Sequence, residues 1–260
     1  MGISRGKTMC ISSAKGGVGK TFITTNLAGI FSQLGKKVII LDFDLSNGAI
    51  GVILNTPFEK NIYNFIDDYS NNRYKSFENY ITRYNDNIYF LASPKDPRQS
   101  NKIDPKYIDI ILDKATNLFD IVLIDTNHDF SEFNISTMDK VDQILFVITN
   151  DLVDLKNMKT LINIFNEAKK DNYRMVLNNS RDTGRDYISL FDVRNILKNN
   201  VDYTISRNFY IKNIDKYVLK GDILTLNKFI NKAYSSDIKN MTKLALDLIS
   251  EVGDGVKNNA

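Results

Sequence analysis

The sequence predicts an α/β fold, in which a doubly wound, mostly parallel sheet is flanked by helices in a single domain. Apolar runs rich in β-branched residues alternate with stretches of helical periodicity. Several runs are apolar almost throughout, as at Val38–Leu41 and Ile121–Ile124, which is typical of strands buried on both faces of a parallel sheet. A glycine-rich segment at residues 14–21 follows the first run, where folds of this class bind ligands.

The individual elements follow from these two periodicities. The predicted strands are Thr8–Ser12, Lys37–Leu41, Ile88–Leu91, Ile121–Ile124, Gln143–Ile148, Arg174–Leu177 and Val201–Ile205. The predicted helices are Lys20–Leu34, Pro105–Asn117, Leu155–Lys169, Ser189–Lys198 and Lys228–Ile249. The polar stretch Asn61–Asn85 predicts short helices on the surface. We expect one domain over residues 1–252 and a disordered tail over residues 253–260.

The composition limits the classes of function that this protein can have. Lys plus Arg is 34 and Asp plus Glu is 31, so the formal charge of +3 is too small to indicate nucleic-acid binding by itself. One cysteine, Cys10, excludes an internal disulfide and suits a reducing compartment. The sequence shows no signal-peptide pattern and no apolar run long enough to span a membrane. We therefore expect a cytoplasmic protein, which a partner could recruit to the inner face of the membrane.

The segment Ala14–Thr21 reads AKGGVGKT and lies between the first predicted strand and the first predicted helix. Its three glycines let backbone N–H groups surround a phosphate, and the helix N-terminus adds a positive dipole. Lys20 is expected to reach the β- and γ-phosphates, and the Thr21 hydroxyl to bind Mg²⁺. Ala14 replaces the glycine of the strict pattern, and Lys15 adds a second lysine early in the loop. This pattern indicates nucleotide phosphate binding rather than a plain flexible turn.

Acidic residues follow two of the predicted strands. Asp42 and Asp44 end the second strand, where one carboxylate could hold a metal-bound water and the other orient an attacking water. Turn-forming aspartates are the alternative, and the neighbouring phosphate loop favours the functional reading. Asp125 ends the fourth strand after four apolar residues, which fits a carboxylate that reaches Mg²⁺ through water.

Two further polar residues lie beyond strand ends. His128 is the only histidine, and we favour a solvated loop residue over a γ-phosphate sensor, because the sequence places no nucleophile or metal partner nearby. Asn178 ends the sixth predicted strand, where an amide offers both a donor and an acceptor to an adenine edge. An asparagine in a turn is the alternative at that position.

Residues 15–21 resemble the deviant Walker A motif of the MinD/ParA superfamily. Asp42-Phe43-Asp44 is similar to its switch I, and Ile124-Asp125-Thr126 to its Walker B motif and switch II. The late segment before Gly221 is similar to its nucleotide-flanking loop. Two departures are Phe22, which replaces a second threonine, and residues 125–129, which lack the prolines and glycine common after this aspartate. The second departure puts coupling to a partner through switch II in doubt.

The resemblance implies a slow, partner-dependent ATPase that uses ATP and Mg²⁺ and forms a homodimer around the nucleotide. Lys15 of one subunit would reach the phosphates held by the other, and Asp44 would orient the attacking water. The resemblance also favours adenine recognition by Asn178. The implied catalytic residues are Lys15, Lys20 and Asp44. The implied nucleotide-binding residues are Lys15, Gly16, Gly17, Val18, Gly19, Lys20, Thr21, Phe22 and Asn178. The implied metal ligands are Thr21, Asp42 and Asp125.

The sequence leaves three branches of the superfamily open as the one to which this chain belongs. The segments at residues 146–152 and 155–159 are similar to CpaE/TadZ positional ATPases, which serve pilus or secretion machines, and we favour this branch. A ParA-type partitioning ATPase would bind DNA through a basic surface late in the chain. Candidates for that surface are Lys212, Lys216, Lys220, Lys228, Lys232, Lys239 and Lys243. Interspersed acidic residues favour a solvated face over a DNA-binding one.

A MinD or flagellar-number type would dock on membrane through an amphipathic C-terminal helix. We expect residues 241–249 to pack on the sheet instead, and residues 253–260 carry one bulky apolar residue, so direct membrane binding is disfavoured. A metabolic enzyme such as nitrogenase reductase is excluded, because Cys10 alone cannot hold its metal cluster.

Overall fold

A computed structural model describes residues 5–180, 188–209 and 211–250. The expected tail at residues 253–260 and the two ends of the expected domain lie outside the described residues. The strands are β1 Lys7–Ser12, β2 Val38–Phe43, β3 Thr82–Arg83, β4 Ile88–Leu91, β5 Ile121–Thr126, β6 Gln143–Ile148, β7 Tyr173–Asn178 and β8 Tyr203–Ile205. The helices are α1 Lys20–Gln33, α2 Ile50–Ile53, α3 Ile62–Ser70, α4 Ile108–Leu118, α5 Glu132–Lys140, α6 Leu152–Glu167, α7 Leu190–Leu197, α8 Asp215–Val218, α9 Lys228–Ala233 and α10 Ser235–Ile249.

The eight strands form one sheet in the order β3-β4-β2-β5-β1-β6-β7-β8. Every neighbouring pair is parallel except β3 with β4, which is antiparallel. The predicted α/β class is confirmed. Strand β1 lies between β5 and β6, and β5 also pairs with β2, with Asp42 opposite Asp125. Parallel pairing therefore brings the carboxyl ends of β1, β2 and β5 together at one edge of the sheet.

The sheet separates two apolar cores, because successive side chains of a strand point to opposite faces. Ile39 and Leu41 join one core with the helices α3 to α7. Val38 and Ile40 join the other core, which includes α1 and α10. Strands β2 and β5 are buried along their whole length, as their continuous apolar sequences predict.

Among the described residues, three helices and one strand were not predicted: α2, α5, α8 and β3. The stretch Asn61–Asn85 contains α3, in keeping with the short helices expected there. Asn61 caps α3 in a capping box with Asn64, so polar residues begin a helix whose apolar face is buried. Phe65 is fully buried and Phe77 is 1% exposed. The expected surface position is therefore wrong for the apolar side of this segment, because its aromatic residues form part of a core.

The predicted helix over residues 228–249 is two helices. Helix α9 ends at Ala233, Tyr234 leaves the helical conformation, and α10 begins at Ser235. Met241 and Leu244 on α10 are buried against the sheet and α1, which confirms the expected packing. Within the described residues, no helix combines the length and the apolar character needed to cross a membrane.

Candidate nucleotide-binding site

A cavity of about 390 Å³ opens at the carboxyl ends of β1, β2 and β5, and this size suits a small-molecule ligand. The loops after these strands and the first turns of α1 form one part of its lining. Residues 214–224, called the flanking segment below, form another part, where the resemblance placed a nucleotide-flanking loop. The lining includes Gly16, Gly17, Gly19, Lys20, Thr21, Phe22, Asp44, Thr126 and His128.

Two glycines give the phosphate loop its shape. Gly17 has a φ of 75° and Gly19 a φ of 101°, which are left-handed conformations that side chains oppose. Gly19 also occupies the N-cap position of α1 and has no side chain to cap the helix. The first-turn N–H groups of α1 are therefore available to an anion, and the helix dipole favours one.

Lys20 supplies a buried cation at this helix end. The residue is 8% exposed, and its Nζ atom donates to Ser13 Oγ at 2.9 Å. Ser13 Oγ in turn donates to the Lys15 carbonyl oxygen at 2.7 Å. Burial lowers the pKa of Lys20, while Asp125 and Asp44 act to raise it. A buried ammonium is stabilised by an anion, and a phosphate bound in the cavity would provide one.

Asp125 is a buried carboxylate that acts electrostatically on this cation. It is 1% exposed, and Thr24 Oγ1 donates to its Oδ1 atom at 3.1 Å. Burial raises the pKa of Asp125 to about 6, against the opposing effects of the Thr21 hydroxyl and Lys20. The raised pKa indicates that the surroundings of this carboxylate offset its negative charge only in part. A divalent cation beside Thr21 would complete that compensation.

The donor set fits Mg²⁺ held jointly with a nucleotide. No cluster of three His, Cys, Asp or Glu residues that could hold a metal lies in the described part of the chain. Mg²⁺ commonly takes one or two protein oxygens together with phosphate oxygens and water. Thr21 would bind the ion through its hydroxyl, and Asp125 would reach the ion through a bound water.

The two carboxylates after β2 lie in different surroundings. Asp44 lines the phosphate cavity and accepts from the Asn47 N–H at 3.0 Å. Asp42 is buried, lines a second cavity with Gly48 and Ser93, and accepts from the Ile50 N–H at 3.1 Å. Burial and Asp125 raise the pKa of Asp42 well above its usual value. Asp44 thus lies at the phosphate cavity and Asp42 does not line it, and the water-orienting role of Asp44 and the metal role of Asp42 both stay predictions.

Lys15 lies outside the lining of the cavity. Its Nζ atom is 3.0 Å from Asp151 Oδ2, and the two side chains are about 42% and 41% exposed. Asp151 is the N-cap residue of α6 and accepts from the Asp154 N–H at 2.9 Å. The ammonium of Lys15 is therefore held by its own subunit, at a surface that a second molecule can reach.

Asn178 holds the phosphate loop against the sheet. It is 1% exposed, and its Nδ2 atom donates to the Val18 carbonyl oxygen at 2.8 Å. Its Oδ1 atom accepts from the N–H and the hydroxyl of Ser180. The structure thus shows a positioning role for this amide, and its contact with adenine stays a prediction.

A family model described as an AAA domain matches residues 6–179. The chain belongs to the AAA-domain family. The matched residues include the phosphate loop, both acidic strand ends and Asn178, so the whole predicted phosphate site lies within this AAA domain.

The chain is similar to MinD proteins and to a ParA family ATPase. The septum site-determining protein MinD of Helicobacter pylori is 29% identical over 164 residues, which are 62% of this chain and 60% of that protein. A ParA family ATPase from Chlorobium tepidum has a TM-score of 0.77 at 17% identity, covering 92% of this chain and 98% of that chain. A Pyrococcus horikoshii MinD complexed with Mg-ADP has a TM-score of 0.75 at 21% identity, covering 94% and 96%.

These comparisons confirm the MinD/ParA superfamily, and the solved structures confirm the fold. The chain matches less than two thirds of the length of the Helicobacter relative. The CpaE/TadZ branch stays a prediction.

Sequence reasoning missed several residues that build the site of this AAA domain. Thr24 follows Lys20 by one helical turn, so the i, i+4 spacing could have placed its hydroxyl beside the loop. Ser13 precedes the loop and looks like an ordinary strand end. The contacts of the flanking segment have no local signal: Tyr84 donates to the Gly221 carbonyl oxygen at 2.7 Å, and a Cβ on Gly221 would lie 2.2 Å from the Leu54 carbonyl oxygen.

Proposed function

We propose that this AAA domain binds ATP with Mg²⁺, hydrolyses it slowly, and forms a homodimer while ATP is bound. The observation that carries the proposal is the buried ammonium of Lys20 beneath a loop with left-handed Gly17 and Gly19. Two features there favour a phosphate, the cation and the uncapped helix N-terminus, and the partly compensated Asp125 carboxylate favours the Mg²⁺ that accompanies it.

The hydrolysis step is assigned to Asp44, which lines the cavity beside Lys20 and Thr126. Its carboxylate would orient the water that attacks the terminal phosphate, while Lys20 would stabilise the charge that develops there. Mg²⁺, when bound, would neutralise charge on the phosphate oxygens.

The proposed dimer rests on Lys15 and its surroundings. Lys15 is half-exposed outside the cavity, where its charge can serve a neighbouring subunit. Leu152 and Val153, which directly follow the Lys15 partner Asp151, are 62% and 61% exposed. Phe191 on α7, which packs against α6, is 72% exposed. Large apolar side chains exposed beside a functional lysine are typical of a surface that binds another protein.

Light scattering after size exclusion tests this proposal. The Asp44→Ala variant should be dimeric in ATP with Mg²⁺ and monomeric in ADP, because the nucleotide is bound and remains intact. The matched control is Asp86→Ala, which removes an exposed carboxylate that does not line the cavity. This variant should hydrolyse ATP at the parental rate. A monomer in saturating ATP would refute the dimer and leave nucleotide binding to be judged by calorimetry.

For the cellular role, we propose a positional ATPase of the CpaE/TadZ kind that assembles with a pilus or secretion machine. The similarity of residues 146–159 to that branch supports it, and Asp151 within this segment contacts Lys15. A pull-down with ATP-locked Asp44→Ala, compared with ADP-bound parent, should retain the partner only in the ATP state. Equal retention in both states would contradict a nucleotide-controlled assembly.

One observation favours ParA-type DNA binding as a second candidate. The seven late lysines named above are all exposed, and the ion pairs among the described residues involve other cations. Non-specific DNA binding through such residues weakens steeply as salt rises. Salt-sensitive retention of DNA in ATP, lost in ADP, would establish this candidate over the first.

A further inference from the structure

His128 lies against the phosphate loop. It follows β5 by two residues and lines the cavity together with Gly16, Lys20 and Asp44. A Cβ placed on Gly16 would be 3.3 Å from the His128 Nδ1 atom and 3.4 Å from Cε1, so the imidazole covers the α-carbon of this glycine. The residue is exposed as a whole, which leaves its ring accessible to a ligand in the cavity.

The loop that carries His128 is held by one buried amide. Asn134 on α5 is 1% exposed, and its Nδ2 atom donates to Asp129 Oδ1 at 2.7 Å, to the Asp129 carbonyl oxygen at 2.9 Å, and to Asn127 Oδ1. The Asp129 N–H donates to Asn127 Oδ1 at 3.1 Å, and the Ser131 N–H to Asp129 Oδ1 at 3.2 Å. The residues on both sides of His128 are thus tied to the same side chain, which holds the backbone that carries the ring beside the loop.

The groups around the ring identify the part of the nucleotide that it faces. Lys20 is the lysine that reaches the β- and γ-phosphates, and Asp44 is the proposed group for water attack on the γ-phosphate. Asn178, the predicted adenine contact, does not line this cavity and is bonded to Val18 instead. The wall shared by Gly16, Asp44 and His128 is therefore the wall beside the terminal phosphate.

We propose that His128 is the residue by which this site distinguishes ATP from ADP, with an imidazole N–H donating a hydrogen bond to the γ-phosphate. The proposal rests on the proposed function, because it requires nucleotide in this cavity. Imidazole keeps at least one N–H in either protonation state. ADP lacks the acceptor, so the contact adds to the affinity for ATP alone. Asn134 is a positioning residue for this contact.

Calorimetry with a non-hydrolysable ATP analogue and with ADP, both with Mg²⁺, measures the effect. His128→Ala should weaken the analogue about tenfold or more and change ADP less than twofold, since a hydrogen bond to a charged group is lost only in the first case. His128→Gln, which keeps an N–H donor, should restore part of the preference. Lys75→Ala, an exposed change in the loop after α3, is the control for handling and fold.

The single histidine of the chain allows a direct spectroscopic test. Untagged protein labelled with ¹⁵N-histidine should give one imidazole spin system, which the ATP analogue shifts strongly and ADP shifts little. Equal shifts in both nucleotides, or an unchanged ATP-to-ADP affinity ratio in His128→Ala, would overturn the proposal. If the parent protein binds neither nucleotide, the proposed function itself fails, and this outcome is distinct from a parent that binds both without preference.

Discussion

Lys15 and Lys20 stand five residues apart in one loop, yet they occupy opposite environments. Lys20 is 8% exposed and donates to Ser13 inside the cavity, whereas Lys15 is half-exposed and paired with Asp151 at the N-terminus of α6. Burial strengthens the electrostatic interactions of Lys20, while solvent screens those of Lys15. One motif thus contains a buried, fixed cation and an exposed one, which we propose serve the subunit's own nucleotide and a neighbouring molecule respectively. Four substitutions test this division of roles.

The largest effect is expected for Lys20→Ala. Removal of the buried ammonium should weaken Mg-ATP about 100-fold or more, because charge-assisted contacts to the β- and γ-phosphates are lost. Mg-ADP should weaken about tenfold or more, because only the contact to its β-phosphate is lost. Titration calorimetry measures both constants. Lys239→Ala serves as the matched exposed-lysine control. An affinity within threefold of the parental value would remove Lys20 from the phosphate site.

Lys15→Ala should separate binding from assembly. We expect nucleotide affinity of the monomer within about threefold of the parent, and ATP-dependent dimerisation weakened about tenfold or more, because the charge acts across the interface. Analytical ultracentrifugation over a range of protein concentrations measures the second quantity. If affinity and dimerisation fall together, the two lysines serve the same subunit and the division is wrong.

Ser13→Ala tests the hydroxyl that links the two lysines. Ser13 Oγ accepts from Lys20 Nζ and donates to the Lys15 carbonyl oxygen, so its loss frees the Lys20 ammonium and loosens the start of the loop. We expect nucleotide affinity to fall about three- to tenfold. Ser12→Ala, one residue earlier in β1, is the neighbouring control. An unchanged affinity for Ser13→Ala would show that the helix end alone positions the ammonium.

The smallest effect is expected for Asp151→Asn, and its direction is opposite. Asparagine still caps α6, but the charge that holds Lys15 is gone. The ATP concentration that gives half-maximal dimerisation should fall about two- to fivefold, which is the range of an exposed ion pair. A rise in that concentration would mean that Asp151 contributes to the dimer rather than restraining the monomer.

The sequence predicted the parts of this molecule that depend on local chemistry. Glycines in a loop, a lysine at a helix start and an aspartate after an apolar strand each carry their own signal. The sequence could therefore predict that Gly19, Lys20 and Asp125 lie near the ends of β1 and β5, and their roles stay predictions. Continuous apolar runs predicted the central strands for the same reason. The boundary between α9 and α10 was missed, because no glycine or proline marks Tyr234.

Residues that act through long-range contacts were harder to predict. Asp151 pairs with Lys15 across more than 130 positions, and Asn134 fixes the loop around His128 from a different helix. Neither side chain has a distinctive neighbour in sequence. His128 is exposed, as the sequence predicts, but the sequence could not show that its ring covers Gly16. Such contacts arise only when the sheet brings separate strand ends together.

The close packing at Gly221 joins the flanking segment to the region after β2. The Leu54 carbonyl oxygen leaves no space for a side chain there, Asn55 donates to the Leu219 carbonyl oxygen at 2.9 Å, and Tyr84 anchors the same turn. Helix α2 and the flanking segment are therefore packed as one unit, and the flanking segment also lines the cavity. A displacement of the backbone between Asp44 and Leu54 would be passed through these contacts to that wall of the cavity and would change the width of its opening.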